Sequence, residues 1–209
     1  MVKAVMFDFD GTLADTGHIT YKVYERLAHR HNLQIFRREE LDEMRSIPIR
    51  DRFKKAGVPF FKLPGLAREA LQIFGEFIGL AEPFPGTEEL IRDLKEQGYS
   101  LSIVSSNTNR NINSFLAAHE LEYFDHIRGT PSLFGKHRAI RQALNETGVS
   151  GDQAVYVGDE LRDINACKKV PIKIISVTWG YDYLSLLQEG GPDYIAHTPQ
   201  EVIDIVNRL

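Results

Sequence analysis

The chain has 209 residues, 43% of them hydrophobic and 26% charged, with 25 basic against 29 acidic side chains and a net charge of −4. That length can bury a sizeable core and suits one domain with an insert, and the composition excludes a disordered or membrane-embedded chain. No long run of one sign marks a nucleic-acid arm or a polybasic patch, and the lone Cys167 excludes an internal disulfide.

Taken in chain order, residues 4–9 are an apolar run that carries Asp8, too short and too lightly charged at its start for a secretory signal. With no apolar stretch long enough to span a bilayer, the expected setting is reducing and cytoplasmic, with neither membrane nor nucleic acid as partner. Residues 16–82 show helical periodicity and no strand pattern, over a stretch far longer than an ordinary connection. Within it Leu66, Ala70, Ile73, Phe74, Phe77 and Ile78 form a helical apolar stripe expected to be core. The P-F-P-G segment at 83–86 returns the chain to another regime. There, apolar runs at 101–104, 154–157 and 172–177 alternate with helical patterns at 87–97, 111–119, 136–146 and 160–169, and Thr198 with Glu201 reads as the capping box of a last helix. Near-continuous Val- and Ile-rich runs suit strands covered on both faces. The predicted fold is an α/β doubly wound parallel sheet, residues 1–15 and 83–209, with an inserted all-helical segment, residues 16–82.

Three of the predicted strands run into residues able to do chemistry: Asp8, Ser105 and Asp159. Ligands bind outside the carboxyl ends of strands in open α/β sheets, so adjacent ends would define one pocket. Asp8, Asp10 and Asp159 are hard oxygen ligands suited to Mg²⁺, which takes few protein carboxylates and favours phosphate oxygens as partners. Asp8 and Asp10 share a face of a strand, and Gly11 and Thr12 allow the tight exit that exposes them. Two such carboxylates can split roles, one ionised as nucleophile and the other holding a proton as acid and then base. A bare D-x-D is also an ordinary acidic turn. Ser105, Ser106 and Asn107 precede a helix, where hydroxyls and N–H groups suit a phosphate or simply cap the helix. Lys136 could place a point charge on the same phosphate, though a lone Lys is usually a surface residue. Asp159 and Asp163, four apart, share a helix face, where they could equally serve the helix dipole.

Together, D-F-D-G-T-L-A-D-T (8–16), S-I-V-S-S-N (102–107), Lys136 and V-G-D-E-L-R-D (157–163) resemble the four ordered motifs of the haloacid-dehalogenase-like (HAD) hydrolase superfamily. The similarity is greatest to its phosphoglycolate-phosphatase-like branch, whose Rossmann-like core carries a helical cap between the first and second motifs. The resemblance implies a Mg²⁺-dependent phosphatase acting on a small phosphorylated metabolite through an aspartyl-phosphate. On it, Asp8 is the nucleophile and Asp10 the acid/base; Ser105 and Lys136 bind and neutralise the phosphoryl group. Gly11, Thr12, Ser106 and Asn107 support that group. Asp8, the Asp10 carbonyl and Asp159 hold the metal, with Asp163 behind them and Glu160 as an alternative carboxylate. Dehalogenation is not implied, because it goes with loss of the second motif-one aspartate and Asp10 is present.

The insert also holds His18, His29, His31, Arg37, Arg38, Arg45, Arg50 and Arg52. Of these, Arg45 and Arg50, which flank S-I-P-I, are the candidates for a second anionic group of the substrate. Trp179 and Tyr181 could line the pocket, although packing is their default. Two other activities share the aspartyl-phosphate. A phosphosugar mutase would hand it to a sugar hydroxyl, and a signalling receiver would keep it, against which the helical insert and Asp10 argue. A catalytically silent binding module is the remaining alternative, against intact motifs.

Overall fold

The computed structural model describes residues 1–131 and 134–209. Strand β1 (Ala4–Phe7) is buried along its whole length, as an apolar run with no polar residue to turn outward requires. It is followed by β2 (Ala14–Asp15), the helices α1 (Gly17–His31), α2 (Arg38–Glu43), α3 (Ile49–Lys55) and α4 (Leu63–Phe77), and β3 (Glu82–Pro83). Then come α5 (Thr87–Glu96), β4 (Ser100–Ser105), α6 (Asn109–Ala118), β5 (His126–Gly129), α7 (Lys136–Thr147), β6 (Ala154–Gly158), α8 (Leu161–Cys167), β7 (Lys173–Val177), α9 (Leu184–Gly190), β8 (Tyr194–Ala196) and α10 (Pro199–Val206).

Among the described residues six strands form one sheet in the order β5-β4-β1-β6-β7-β8, every neighbouring pair parallel. Phe7 is in register with Ile103 on one side and Val157 on the other, so the residues just beyond β1, β4 and β6 converge. The sheet reverses its winding between β1 and β6, which is where a doubly wound fold opens a crevice. Alternation assigns the two faces. Val5, Phe7, Leu101, Ile103, Val155 and Val157 join the apolar cluster that includes α5, α6 and α10. Ala4, Met6, Val104, Ala154 and Tyr156 join the one covered by α7, α8 and α9.

The four predicted strands are present with shifted ends: the first stops at Phe7 rather than residue 9, and the second gains Ser100 and Ser105. Helix α6 begins two residues before the predicted 111, because the Thr108 hydroxyl accepts the Asn111 N–H (3.1 Å) and so sets the cap earlier. Of the predicted capping box of α10 one half is made, Thr198 Oγ1 accepting the Glu201 N–H (3.2 Å), while the Glu201 carboxylate accepts the His197 N–H (2.7 Å) instead of that of Thr198. Four strands and one helix lie outside the predicted elements: β2 and β3, of two residues each, β5, β8 and α9. β5 and β8 are the sheet edges, short and half-buried, so neither carries a long apolar run. α9 spans seven residues, too few for a clear period.

Between β2 and β3 the described chain forms only helices and turns. β2 and β3 themselves pair antiparallel, Ala14 with Pro83 and Asp15 with Glu82, so the outgoing and returning strands of the insert are tied together. On α4, Leu66, Ile73 and Phe74 are buried and Ala70 and Phe77 half-buried, against Ile19, Val23 and Leu27 of α1. This stripe continues into the core cluster through Phe9 and Phe115, whose rings meet edge to face at 5.1 Å. Each such buried ring stabilises the fold by about 2–3 kcal/mol.

Candidate active site

Beyond Phe7 the alternation of β1 turns Asp8 to the face covered by α7, and Lys136 is the first residue of α7. The Lys136 ammonium donates to Asp8 Oδ2 and to Asp163 Oδ1, all three side chains being almost wholly buried. Asp8 Oδ1 accepts the Phe9 N–H (2.8 Å), and the Asp8 N–H reaches the Val157 carbonyl (2.8 Å). The nucleophile candidate is thus fixed from both oxygens and from its backbone.

The chain then leaves the sheet in a tight turn at Gly11, whose φ of +79° is one that side chains disfavour. A Cβ there would lie 2.1 Å from Asp159 Oδ2, so glycine lets the turn sit directly on the Asp159 carboxylate. Asp159 Oδ1 accepts the Thr12 hydroxyl (2.7 Å) and Oδ2 the Tyr181 N–H (2.7 Å). From the end of β4, Ser105 is buried, and its Oγ accepts the Asn107 N–H (3.1 Å). Asn107 Nδ2 donates to Asp10 Oδ2 (2.9 Å), and its Oδ1 accepts from Asn111 (2.8 Å). The Ser106 hydroxyl accepts from Arg162 Nη1 (2.9 Å), and Arg162 is ion-paired with Glu160.

The carboxylates crowd one another. Burial and the Asp8 charge push the Asp10 carboxyl up to about 7. Burial, then Glu160 and Asp8, push Asp159 well above the ordinary carboxylate range. Burial raises Asp163 to about 6 although Lys136 opposes it. For Lys136 burial works against the charge, but Asp163 and Asp8 outweigh it and its pKa is raised. Asp8, Asp10, Asp159, Glu160 and Asp163 together face Lys136, Arg162 and, at Glu160, Arg52, and among the described residues the buried Asp10 Oδ1 has no hydrogen-bond partner. Such a surplus of buried negative charge, with an orphaned oxygen, suits a divalent cation. Among the described residues, the acids whose oxygens come within 4.8 Å of one another are Asp8, Glu160 and Asp163. Asp159, the expected third ligand, stands outside that group because Thr12 and Tyr181 hold its two oxygens.

All the motif residues therefore meet at the carboxyl ends of β1, β4 and β6 and the start of α7. The two basic candidates of the insert are differently occupied. Arg45 donates to the carbonyls of Tyr181 (2.6 Å) and Gly180 (2.8 Å), and the Arg50 guanidinium lies over the Phe134 ring (5.5 Å). Trp179 and Tyr181 touch the site through their N–H groups, Trp179 Nε1 donating to the Thr12 carbonyl (3.1 Å). Arg162, Asn111, Arg52 and Asp182 were not singled out as site residues. Only Arg162 carried a signal, as a cation inside the acidic run G-D-E-L-R-D.

The family model for haloacid dehalogenase-like hydrolases matches residues 5–177. Over 209 residues the chain is 27% identical to a phosphoglycolate phosphatase of Synechococcus elongatus, covering 100% of this chain and 99% of that one. It is 24% identical to the pyrophosphatase PpaX of Halalkalibacterium halodurans, with 98% and 97% covered. A solved haloacid dehalogenase-like hydrolase of Streptococcus pneumoniae superposes with a TM-score of 0.83 at 24% identity, over 98% of each chain. Among the described residues no helix is long and apolar enough to cross a membrane.

Proposed function

This chain belongs to the haloacid dehalogenase-like hydrolase family, and from that premise we propose that it is a cytoplasmic, Mg²⁺-dependent phosphatase of small phosphomonoesters working through an aspartyl-phosphate on Asp8. The core is taken as residues 1–15 and 83–209 and the cap as residues 16–82. The observation that carries the reading is the pair Asp8 and Asp10. Asp8 is held by Lys136 and the Phe9 N–H, while Asp10, two residues on, has its proton affinity raised to about 7.

In this mechanism an Asp8 oxygen attacks phosphorus in line and the ester oxygen leaves with the proton of Asp10. Asp10, now a carboxylate, takes a proton from a water that attacks the aspartyl-phosphate, releasing phosphate and restoring both acids. Lys136 offsets the charge that builds on the phosphoryl oxygens, and Ser105, Ser106 and the loop from Gly11 to Thr12 supply hydrogen bonds to them. Asn107 orients Asp10 through its Oδ2. Mg²⁺ would be held by Asp8, the Asp10 carbonyl and Asp159, through lone pairs that Thr12 and Tyr181 leave free, with Glu160 and Asp163 facing the same ion. Bound there, it would neutralise the phosphate and align it with Asp8.

Two relatives are named for substrates with a second anionic group beside the scissile phosphate, a carboxylate in phosphoglycolate and a phosphate in pyrophosphate. The deciding experiment is phosphate release from a panel of phosphomonoesters that includes phosphoglycolate, alongside pyrophosphate, with and without Mg²⁺, and with Asp8→Asn as control. Metal-dependent release by the wild type alone is expected. Silence across the panel, with a sugar phosphate isomerised once a bisphosphate is added, would replace the phosphatase with a mutase.

A further inference from the structure

Residues 178–183, which follow β7, lie between the cap and the acids, and their polar groups are spent on both. Trp179 Nε1 donates to the Thr12 carbonyl and the Tyr181 N–H to Asp159. Asp182 Oδ2 accepts the Leu161 N–H at the start of α8 (2.7 Å). Gly180 sits so close that a Cβ would lie 2.2 Å from Asp159 Cβ and 2.4 Å from the Gly11 carbonyl oxygen. The loop has no room to shift without moving Asp159 or the first turn of α8.

The cap grips the same loop. Arg45 binds the Gly180 and Tyr181 carbonyls, and its own carbonyl accepts the Tyr183 N–H (3.1 Å). Arg52, only 8% exposed, donates Nε to the carbonyls of Met44 (2.9 Å) and Ile47 (2.8 Å). Its fork pairs with Asp182, which is 2% exposed, with Nη1 3.9 Å from Glu160 Oε1 and the guanidinium over the Tyr181 ring at 4.8 Å. With its charge spent on Asp182 and Glu160, Arg52 has none to offer a substrate.

We propose that Arg52 and Asp182 are positioning residues: the docked cap, through this buried pair, holds the loop and the start of α8 where Asp159 and Glu160 face the phosphate site. A buried charge left without its partner is costly, so the pair is made with the cap docked and hydrated with it away. Docking and acid placement then become one equilibrium. The placement stands on geometry; only its catalytic consequence rests on the phosphatase reading.

Trp179 is the chain's only tryptophan and lies in this loop. The test is acrylamide quenching of Trp179 with circular dichroism, on wild type, Arg52→Met, Asp182→Asn and the double variant. Each single variant is expected to raise the quenching constant about twofold, and the double no further, because both remove one interaction. For the best phosphomonoester, kcat is expected to fall about tenfold or more with KM within about threefold. Arg52→Lys, which keeps the charge and loses the fork, should fall between. Asp182→Asn keeps an acceptor for the Leu161 N–H and carries the test should Arg52→Met fail to fold. Unchanged quenching in folded single variants, additive effects in the double, or a raised KM with kcat intact would overturn the proposal. A wild type that releases no phosphate would sink the phosphatase reading while the quenching still decides this one.

Discussion

The core and the cap reach the acid cluster by different means. The core delivers Asp8, Ser105 and Asp159 from the ends of buried strands, where backbone register sets each side chain before any side-chain contact is made. The insert instead reaches their surroundings: Arg45 and Arg52 hold the 178–183 loop through their side chains and the Arg45 carbonyl, and the Leu71 carbonyl of α4 accepts from Asn111 of α6 (3.2 Å), which also donates to Asn107. The lesson is a division of labour. A rigid sheet can hold charges that repel one another, and a docked insert can adjust them without carrying any of the chemistry.

Substitutions can break that contrast, and the largest effects should come from the core. Asp8→Asn is expected to lower kcat by about 10⁴ or more, read by phosphate release, with circular dichroism unchanged, since one oxygen becomes a nitrogen of similar shape. Retention of wild-type turnover would remove Asp8 from its role. Lys136→Met leaves Asp8 and Asp163 buried without their cation and should cost about 3–5 kcal/mol in urea unfolding at neutral pH, besides abolishing turnover.

Asp10→Asn should act in the opposite sense on stability. The Asp10 carboxyl is raised to about 7 by burial and by Asp8, so between pH 4 and 7 the folded chain keeps a proton that the unfolded chain releases, and stability is lost as pH rises. The amide carries no such cost. The variant should match wild type near pH 4 and exceed it by about 4 kcal/mol above pH 7. Equal stabilities at pH 8 would show that the crowding of Asp8 and Asp10 costs nothing.

Cap substitutions should be milder for the fold than for the rate. A Cβ at Gly75 of α4 would lie 2.8 Å from Asn111 Oδ1 and push on the chain of amides that ends at Asp10. Gly75→Ala gains about 1 kcal/mol of helix propensity, which offsets the clash. The melting temperature should barely move while kcat falls several-fold. An unchanged kcat would cut the cap from Asp10. Smallest of all, breaking the exposed Arg26–Glu76 pair of α1 and α4 with Arg26→Ala should cost under about 0.5 kcal/mol.

Legibility follows the same division. The interior strands β1, β4, β6 and β7 could be read because a strand covered on both faces leaves an apolar run in the chain, and the chemical residues stand where those runs end. β5 and β8, at the edges, leave no such mark. The helical character of the insert was legible from periodicity, but its attachment was not. The paired strands β2 and β3 are two residues each. Arg52 looked like one of several surface cations, and its partner Asp182 lies 130 residues away. Arg162 and Ser106 are 56 apart, and Asn111 and the Leu71 carbonyl 40.

By itself, then, the sequence determined an α/β sheet with a helical insert and the set of residues gathered at its strand ends, because apolar runs and their polar terminations are local patterns. Tertiary structure alone decided which acids come together, placing Glu160 and Asp163 beside Asp8 while Thr12 and Tyr181 hold Asp159. It also decided that Arg45 and Arg52 grip the loop rather than stand free. Charge pairing and carboxylate proximity depend on distances between segments far apart in the chain, which no local pattern encodes.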